Sequence, residues 1–292
     1  MYVVTGVTGN TGAVVAETLL ARGEAVRVLV RDAGKAATWA ARGAEVAVGN
    51  VKDAAAVATA LAGAKGAYLL DPPDYGSRDP LADADAVGAA YAEAIRTAGL
   101  PHAVVLSSIG AQHPDGTGII GTLHRMEGLL RGAGAPVTFL RAGYFMENWG
   151  NVLEPALEQG VLPSFIHPLD RALPMVSVAD IGRTAAELLI EGPHGVRVVE
   201  LSGPADYAPT DAAAAVGTAA GRAVQAVAVP RGEWAPTLAG AGLPPEVAAL
   251  FVGMYDGING GRVAWEGQEA RRGAVTLGEA LRKVVEGRKV AA

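Results

Sequence analysis

The chain has 292 residues, half of them apolar, a formal net charge of −6 and no cysteine. That is enough apolar material for a large core, in one α/β domain or in a domain with a smaller companion. The acidic balance, without a basic stripe, argues against nucleic acid as a partner; the missing cysteines exclude disulfides and cysteine-held metals, and no apolar run reaches the roughly 20 residues that span a bilayer.

The chain enters a strand at once, Tyr2–Thr5, with no basic segment or cleavage signal before it, so an unprocessed, soluble, cytoplasmic protein is expected. Further strands are predicted at Ala25–Val30, Glu45–Val48, Ala67–Leu70, Ala103–Ser107 and Val137–Arg141. Ala-rich helical stretches separate them near 12–22, 34–42, 53–62, 81–98 and 118–132. Short, continuously apolar strands alternating with helices are the signature of a parallel sheet covered on both faces. The fold class is therefore α/β, a Rossmann-type doubly wound parallel sheet.

After about residue 145 the rhythm changes. Phe145–Gln159 reads as helical and Gly160–Pro174 as a proline-containing loop. A helix opens at Ser177-Val178-Ala179-Asp180, with Ser177 or Asp180 as N-cap. Val196–Leu201 and Ala223–Val229 read as strands. Residues 1–150 are expected to form a dinucleotide-binding domain to which 176–202 return. Residues 151–292 are expected to be mainly a smaller substrate lobe over the carboxyl ends of the sheet, where open α/β folds place ligands.

Gly6-Val7-Thr8-Gly9-Asn10-Thr11-Gly12 follows the first strand and opens the first helix. Small residues let the backbone approach a pyrophosphate, and a helix N-terminus offers it unpaired N–H groups and a favourable dipole. The strand before and the helix after distinguish this run from an ordinary glycine turn. The first residue past the second strand is Arg31, with Lys35 one helical turn beyond. A guanidinium there suits a ribose 2′-phosphate, so NADP(H) is favoured over NAD(H). Asp32 either takes the ribose hydroxyls of NAD or caps the next helix. After the third strand, Asn50 stands where an adenine edge would lie, and Asp53 is placed to cap the following helix. The five histidines are far apart and none has metal-ligand spacing, so no metal is expected.

The sequence resembles the NmrA-like family of atypical short-chain dehydrogenase/reductases. The likeness rests on Thr5–Gly12, Val30-Arg31-Asp32, Leu106-Ser107-Ser108-Ile109-Gly110-Ala111, Glu127, and the run Phe139–Trp149. It implies a Rossmann domain with a small C-terminal substrate lobe, NADP(H) as cofactor, and either NADPH-dependent quinone or dye reduction or dinucleotide sensing without turnover. It also places Asp71-Pro72 and Ser107-Ser108 near the nicotinamide end. Asp71 stands where a small or apolar residue is expected.

Typical short-chain dehydrogenases use a Tyr-x-x-x-Lys pair on the helix after strand five, the phenol acting as acid. Here that helix reads Gly118–Glu127 and contains neither residue; no lysine occurs between Lys65 and Lys283. His124 is one candidate acid: imidazole is a common proton donor, and the residue lies three before Glu127, on one helical face. The alternative is that His124 bonds locally while Glu127 anchors a loop through Arg141. Tyr144 is the second catalytic candidate, with Phe145, Asn148 and Trp149 as substrate-pocket residues or, alternatively, core and cap. Phe251, Tyr255 and Trp265, in a helix and loop over 244–265, either contact substrate or fill the lobe. The expected partner is a small organic molecule, not nucleic acid or membrane; oligomerisation is left open.

Overall fold

Tyr2 and Val4 project to one side of the first strand and Val3 to the other, as the two-residue period of an extended chain requires, and all three are buried. The first strand is thus covered on both faces. The structure, a computed structural model, describes residues 1–291. The first half runs β1 (Tyr2–Val4), α1 (Asn10–Ala21), β2 (Val26–Val30), α2 (Ala36–Ala40), β3 (Glu45–Val48), α3 (Ala54–Leu61), β4 (Gly66–Leu69), α4 (Pro80–Ala98), β5 (Ala103–Ser108), α5 (Gly121–Arg131) and β6 (Val137–Ala142).

The second half runs β7 (Tyr144–Phe145), α6 (Leu153–Gln159), β8 (Val161–Ser164), β9 (Leu173–Val176), α7 (Val178–Glu191), β10 (Arg197–Ser202), β11 (Asp206–Tyr207), α8 (Pro209–Ala220), β12 (Gln225–Ala228), α9 (Trp234–Gly240), α10 (Pro245–Asn259), β13 (Glu269–Arg272) and α11 (Leu277–Ala291).

One eight-stranded sheet, in the order β13-β10-β6-β5-β4-β1-β2-β3, organises the molecule. Every pairing in it is parallel. The order reverses at β1, so the crevice between the carboxyl ends of β1 and β4 is the topological switch point. On one face Val15 and Leu19 of α1 and Ile181 and Leu188 of α7 pack against Val4, Tyr68 and Leu140. On the other, Val57 of α3, Tyr91 of α4 and Leu130 of α5 pack against Val3, Leu69 and Phe139. This is the Rossmann-type architecture that the alternating pattern predicts.

The lobe has its own core around Met146, Leu162, Met175, Val216 and Leu281, with a satellite of Phe165, Trp234, Leu238 and Ala248. It holds two small sheets, β11-β9-β7 and β12-β8. Its α10 lies directly on the turn after β5. A Cβ on Gly118 would fall 2.0 Å from the Leu250 carbonyl oxygen, and one on Gly257 would fall 2.6 Å from that of Gly116. Glycines on both surfaces permit that approach, and Gly118 also has a φ of +55°.

Several sequence expectations are corrected. Residues Met146–Val152 form a 3-10 helix before α6 rather than one continuous helix from 145. The segment read as a loop over 160–174 contains β8 and the start of β9. β13 was not foreseen: Glu269-Ala270-Arg271-Arg272 has no apolar alternation because it is an exposed edge strand. Ser177, not Asp180, is the N-cap of α7, its Oγ accepting from the Asp180 N–H at 3.1 Å.

Candidate dinucleotide site

The site begins with the backbone after β1. Gly6 has a φ of +67°, and a Cβ there would meet the Leu70 side chain at 2.6 Å. Gly12 lies where α1 crosses that turn, and a Cβ on it would fall 2.5 Å from the Gly6 carbonyl carbon and oxygen. These two glycines are needed by the protein itself. Gly9 differs: its Cβ would touch only the Gly6 oxygen, at 3.4 Å, so its bareness leaves room for a ligand. Thr8, Gly9 and Asn10 are exposed. No acidic residue stands in the first turn of α1, whose N-cap Gly9 gives no side-chain bond. The first N–H groups of the helix are left for an anion.

Thr11 is corrected in its role. It is buried, and its Oγ1 accepts a hydrogen bond from the Tyr68 hydroxyl at 3.0 Å. Its side chain thus faces the interior, and its backbone N–H lies in the first turn of α1. The hydroxyl belongs to an interior network beneath the turn. There Thr5 Oγ1 donates to the Tyr68 carbonyl at 3.2 Å, and Tyr91 donates to the Leu70 carbonyl at 2.9 Å.

At the end of β2, Arg31 and Lys35 are exposed. Neither makes an ion pair or side-chain hydrogen bond among the described residues. Asp32 is committed to the chain: its Oδ1 accepts from the Gly34 N–H at 2.7 Å and caps the 3-10 turn Ala33–Lys35. The guanidinium is therefore free, while one oxygen of the Asp32 carboxylate is engaged by the chain. After β3, Asn50 Oδ1 accepts from the Lys52 N–H at 3.0 Å, leaving its amide NH2 outward. Asp53 caps α3 through the N–H groups of Ala55 and Ala56.

Asp71 and Pro72 follow β4 and are half-buried. Burial pushes the Asp71 carboxyl up to about 6; Lys52 draws it down and Asp83 raises it. Ser108 ends β5, half-buried, with its Oγ donating to the Ile109 carbonyl at 3.0 Å. Ser107 is corrected. It is 2% exposed and its Oγ donates to Glu127 Oε1 at 2.7 Å, so it points inward rather than to a cofactor.

His124 does not meet Glu127. Its Nδ1 lies 2.8 Å from the Ala111 carbonyl oxygen, which requires the proton on that nitrogen. The ring lines a groove of about 820 Å³ between α4 and α5, with Leu81, Asp85, Gly121 and Leu250. No residue of the phosphate turn lines that groove, nor do Arg31, Asn50 and Asp71. Burial pushes the Glu127 carboxyl up, but bonds from Arg141 and Ser107 outweigh it and hold the group below the usual range. Glu127 is thus the structural anchor of the alternative reading.

Tyr144 is half-buried at the lobe entrance, its phenol facing that of Tyr255 on α10. Burial, with Tyr255 alongside, pushes the Tyr144 hydroxyl well above its usual range. One helical turn from Tyr255, Phe251 meets Tyr75 of the β4–α4 loop, ring centroids 6.0 Å apart. One face of α10 therefore presents aromatic rings toward both the end of β4 and the start of the lobe. Tyr75 and the glycine seam under α10 escaped the sequence reading; the spacing of Gly116, Gly118, Gly253 and Gly257 was the available signal. Trp149 is corrected from pocket to core: it is 3% exposed and packs with Met146 and Leu153. Phe145 is half-buried against the main core, and Asn148 is exposed without a side-chain bond among the described residues. Trp265 borders a separate surface hollow with Gln112 and Arg262. Among the described residues, no helix is long and apolar enough to cross a membrane.

The geometry agrees with what the chain is similar to. It is 29% identical over 257 residues to an NAD(P)H azoreductase of Xenophilus azovorans, covering 87% of this chain and 86% of that protein. It is 28% identical over 254 residues to quinone oxidoreductase 2 of Escherichia coli, covering 86% and 85%. The solved structure of an E. coli NADPH-dependent quinone oxidoreductase in complex with NADPH superposes with a TM-score of 0.82 at 26% identity, over 97% of this chain and 99% of that one. A Citrobacter triphenylmethane reductase complexed with NADP(H) shares the fold, with a TM-score of 0.80 at 22% identity, over 97% and 100%. The NmrA-like family model matches residues 2–261, and the chain belongs to the NmrA-like family.

Proposed function

We propose that this chain is an NADPH-dependent reductase that delivers hydride to a small, flat organic acceptor of the quinone, azo or carbonyl class. The observation that carries the reading is the joint placement of the bare turn at Gly9, opening α1, and the uncommitted guanidinium of Arg31 at the end of β2. The names of the similar proteins, an azoreductase and a quinone oxidoreductase, support a quinone or azo acceptor first.

When bound, NADPH supplies the hydride. The chain's own residues bind, orient and exclude water. The first N–H groups of α1 take the pyrophosphate, Arg31 and Lys35 the 2′-phosphate, and the Asn50 amide the adenine edge. Pro72 and Ser108 border the nicotinamide half. Tyr75, Tyr144 and Phe251 offer ring faces and edges to a planar acceptor, whose stacking they favour, while Tyr255 is stacked on Phe165 in the lobe and backs Tyr144 from there. Phe145 and Asn148 border that space. A quinone or azo acceptor suits a chain without Tyr-x-x-x-Lys, because its reduced anion is comparatively stable and takes its proton from water.

The missing pair also favours a second reading, a redox sensor that holds NADP(H) without turnover. One experiment separates them. The purified chain is mixed with NADPH and a panel of quinones and azo dyes, and reduced nicotinamide is followed by its absorbance. Consumption well above background is expected. Binding without consumption by any acceptor leaves the sensor, and no binding defeats both.

A further inference from the structure

Asp71 occupies a charged position at the edge of the phosphate turn. The register of β4 on β1 sets Tyr68 opposite Val4, so Leu70 and Asp71 run alongside Gly6 and Val7. Contact confirms the first of these pairs: a Cβ on Gly6 would strike the Leu70 side chain, and Asp71 is the next residue along. The switch-point crevice lies between these two strand ends, and the Asp71 side chain is half-buried there.

The carboxyl is not spent on the protein. Among the described residues it makes no hydrogen bond and no ion pair. The charged groups that face it are Lys52, ahead of α3, and Asp83 on α4; the buried phenol of Tyr91 on α4 is the further titratable neighbour. Lys52 is itself paired with Asp83, which also accepts from Ser77 Oγ at 2.6 Å. Asp71 therefore lacks a cation of its own, and its burial, with Asp83 alongside, already favours the neutral form. A pyrophosphate held by the first N–H groups of α1 would bring two further negative charges to the same end of the sheet, which disfavours a charged carboxyl there.

We infer that Asp71 takes up a proton when the dinucleotide binds, so that a neutral carboxyl, a hydrogen-bond donor, faces the bound cofactor. This rests on the dinucleotide-binding reading above. A carboxylate kept at that position would oppose the pyrophosphate, whereas a carboxylic acid donates to a phosphate or ribose oxygen. Linkage then makes binding pH-dependent. Affinity falls by up to about tenfold per pH unit above the value at which free Asp71 ionises, and levels off below it. The 2′-phosphate also titrates near pH 6, so the contribution of Asp71 is read as wild type minus variant.

Calorimetric titration of NADPH into the full chain, near pH ~7.5 and in two buffers of different ionisation heat, counts the protons taken up. Wild type should take up close to one proton more than Asp71→Asn. The variant should also bind NADPH about thirtyfold more tightly than wild type at pH ~7.5, and about equally well at pH ~5.5. Asp71→Ser, which cannot ionise either, should behave like Asp71→Asn and guards against a folding defect in one variant. Equal proton counts in all three proteins, or weaker binding by both variants at the higher pH, would overturn the inference. Absence of NADPH uptake by any of the three at any pH would instead overturn the dinucleotide reading beneath it.

Discussion

Arg141 and Glu127 meet in the interior through two parallel hydrogen bonds, Nε to Oε1 at 2.9 Å and Nη2 to Oε2 at 2.8 Å. Their side chains are 3% and 4% exposed. Around them the same atoms collect more of the fold: Ser107 donates to Glu127, and Arg141 reaches Glu266 at 2.6 Å. The pair thus ties α5, β5, β6 and the loop before β13 together under the site. A buried ion pair adds little net stability when complete, yet breaking it leaves one charge uncompensated.

Glu127→Gln should therefore destabilise the chain by about 3 kcal/mol, since it strands Arg141 with only the partly exposed Glu266. Denaturant unfolding checks this. Glu127→Gln and Ser107→Ala made separately and together should show coupling, because both touch Oε1. Additive effects would mean that the cluster is not one network.

The glycines of the phosphate turn should separate stability from binding. Gly12→Ala forces a methyl against the Gly6 backbone, which has no side chain to move aside, and should cost about 1–3 kcal/mol or more. Gly9→Ala meets nothing closer than 3.4 Å, so its melting temperature should stay near wild type while NADPH affinity drops. Thermal melts and NADPH titration on both variants read the two effects. A stability loss in Gly9→Ala equal to that in Gly12→Ala would contradict the assignment of Gly9 to the ligand.

Arg31 is exposed and unpaired among the described residues, so Arg31→Ala should leave stability unchanged. A bond between charged groups contributes roughly 1.5–3 kcal/mol. KM for NADPH should rise about tenfold to a hundredfold, while the KM for NADH stays within about twofold. Equal losses for both dinucleotides would remove residue 31 from the selection of the 2′-phosphate.

His102 offers a pH test away from the site. It is fully buried at the start of β5, its Nε2 3.2 Å from Thr138 Oγ1, and its Nδ1 has no partner. Burial pushes its pKa down to about 4, with Arg197 and His194 acting the same way and Glu191 against. The unfolded chain, with a value near 6.5, binds the proton first. Stability from this group is complete above about pH 6.5, falls as pH drops toward about 4, and is then lost by about 3 kcal/mol. His102→Gln should flatten that part of the stability–pH curve relative to wild type. Identical slopes for the two proteins would refute it.

Sequence alone was enough for the Rossmann half because its signals are local. Val3 and Val4 must be buried on opposite faces, Gly6 and Gly12 must be bare where helix meets strand, and Asp53 must cap α3. Each requirement involves neighbours a few residues apart, so spacing carries it. The position of Arg31 was legible for the same reason: it is the first residue beyond a strand whose end is fixed by its own apolar run.

What only tertiary structure decided was which groups remained uncommitted. Asp32 Oδ1 accepts from Gly34, Thr11 Oγ1 accepts from Tyr68, Ser107 donates to Glu127 and His124 to Ala111, and all but the first involve partners from 13 to 57 residues away. The lobe was hardest to read for a related reason. Trp149 and Phe251 are equally apolar in sequence, and whether a ring fills a core or meets the β4–α4 loop depends on where α10 comes to rest. That position is set by glycines on two surfaces far apart in the chain, whose contact no local pattern records.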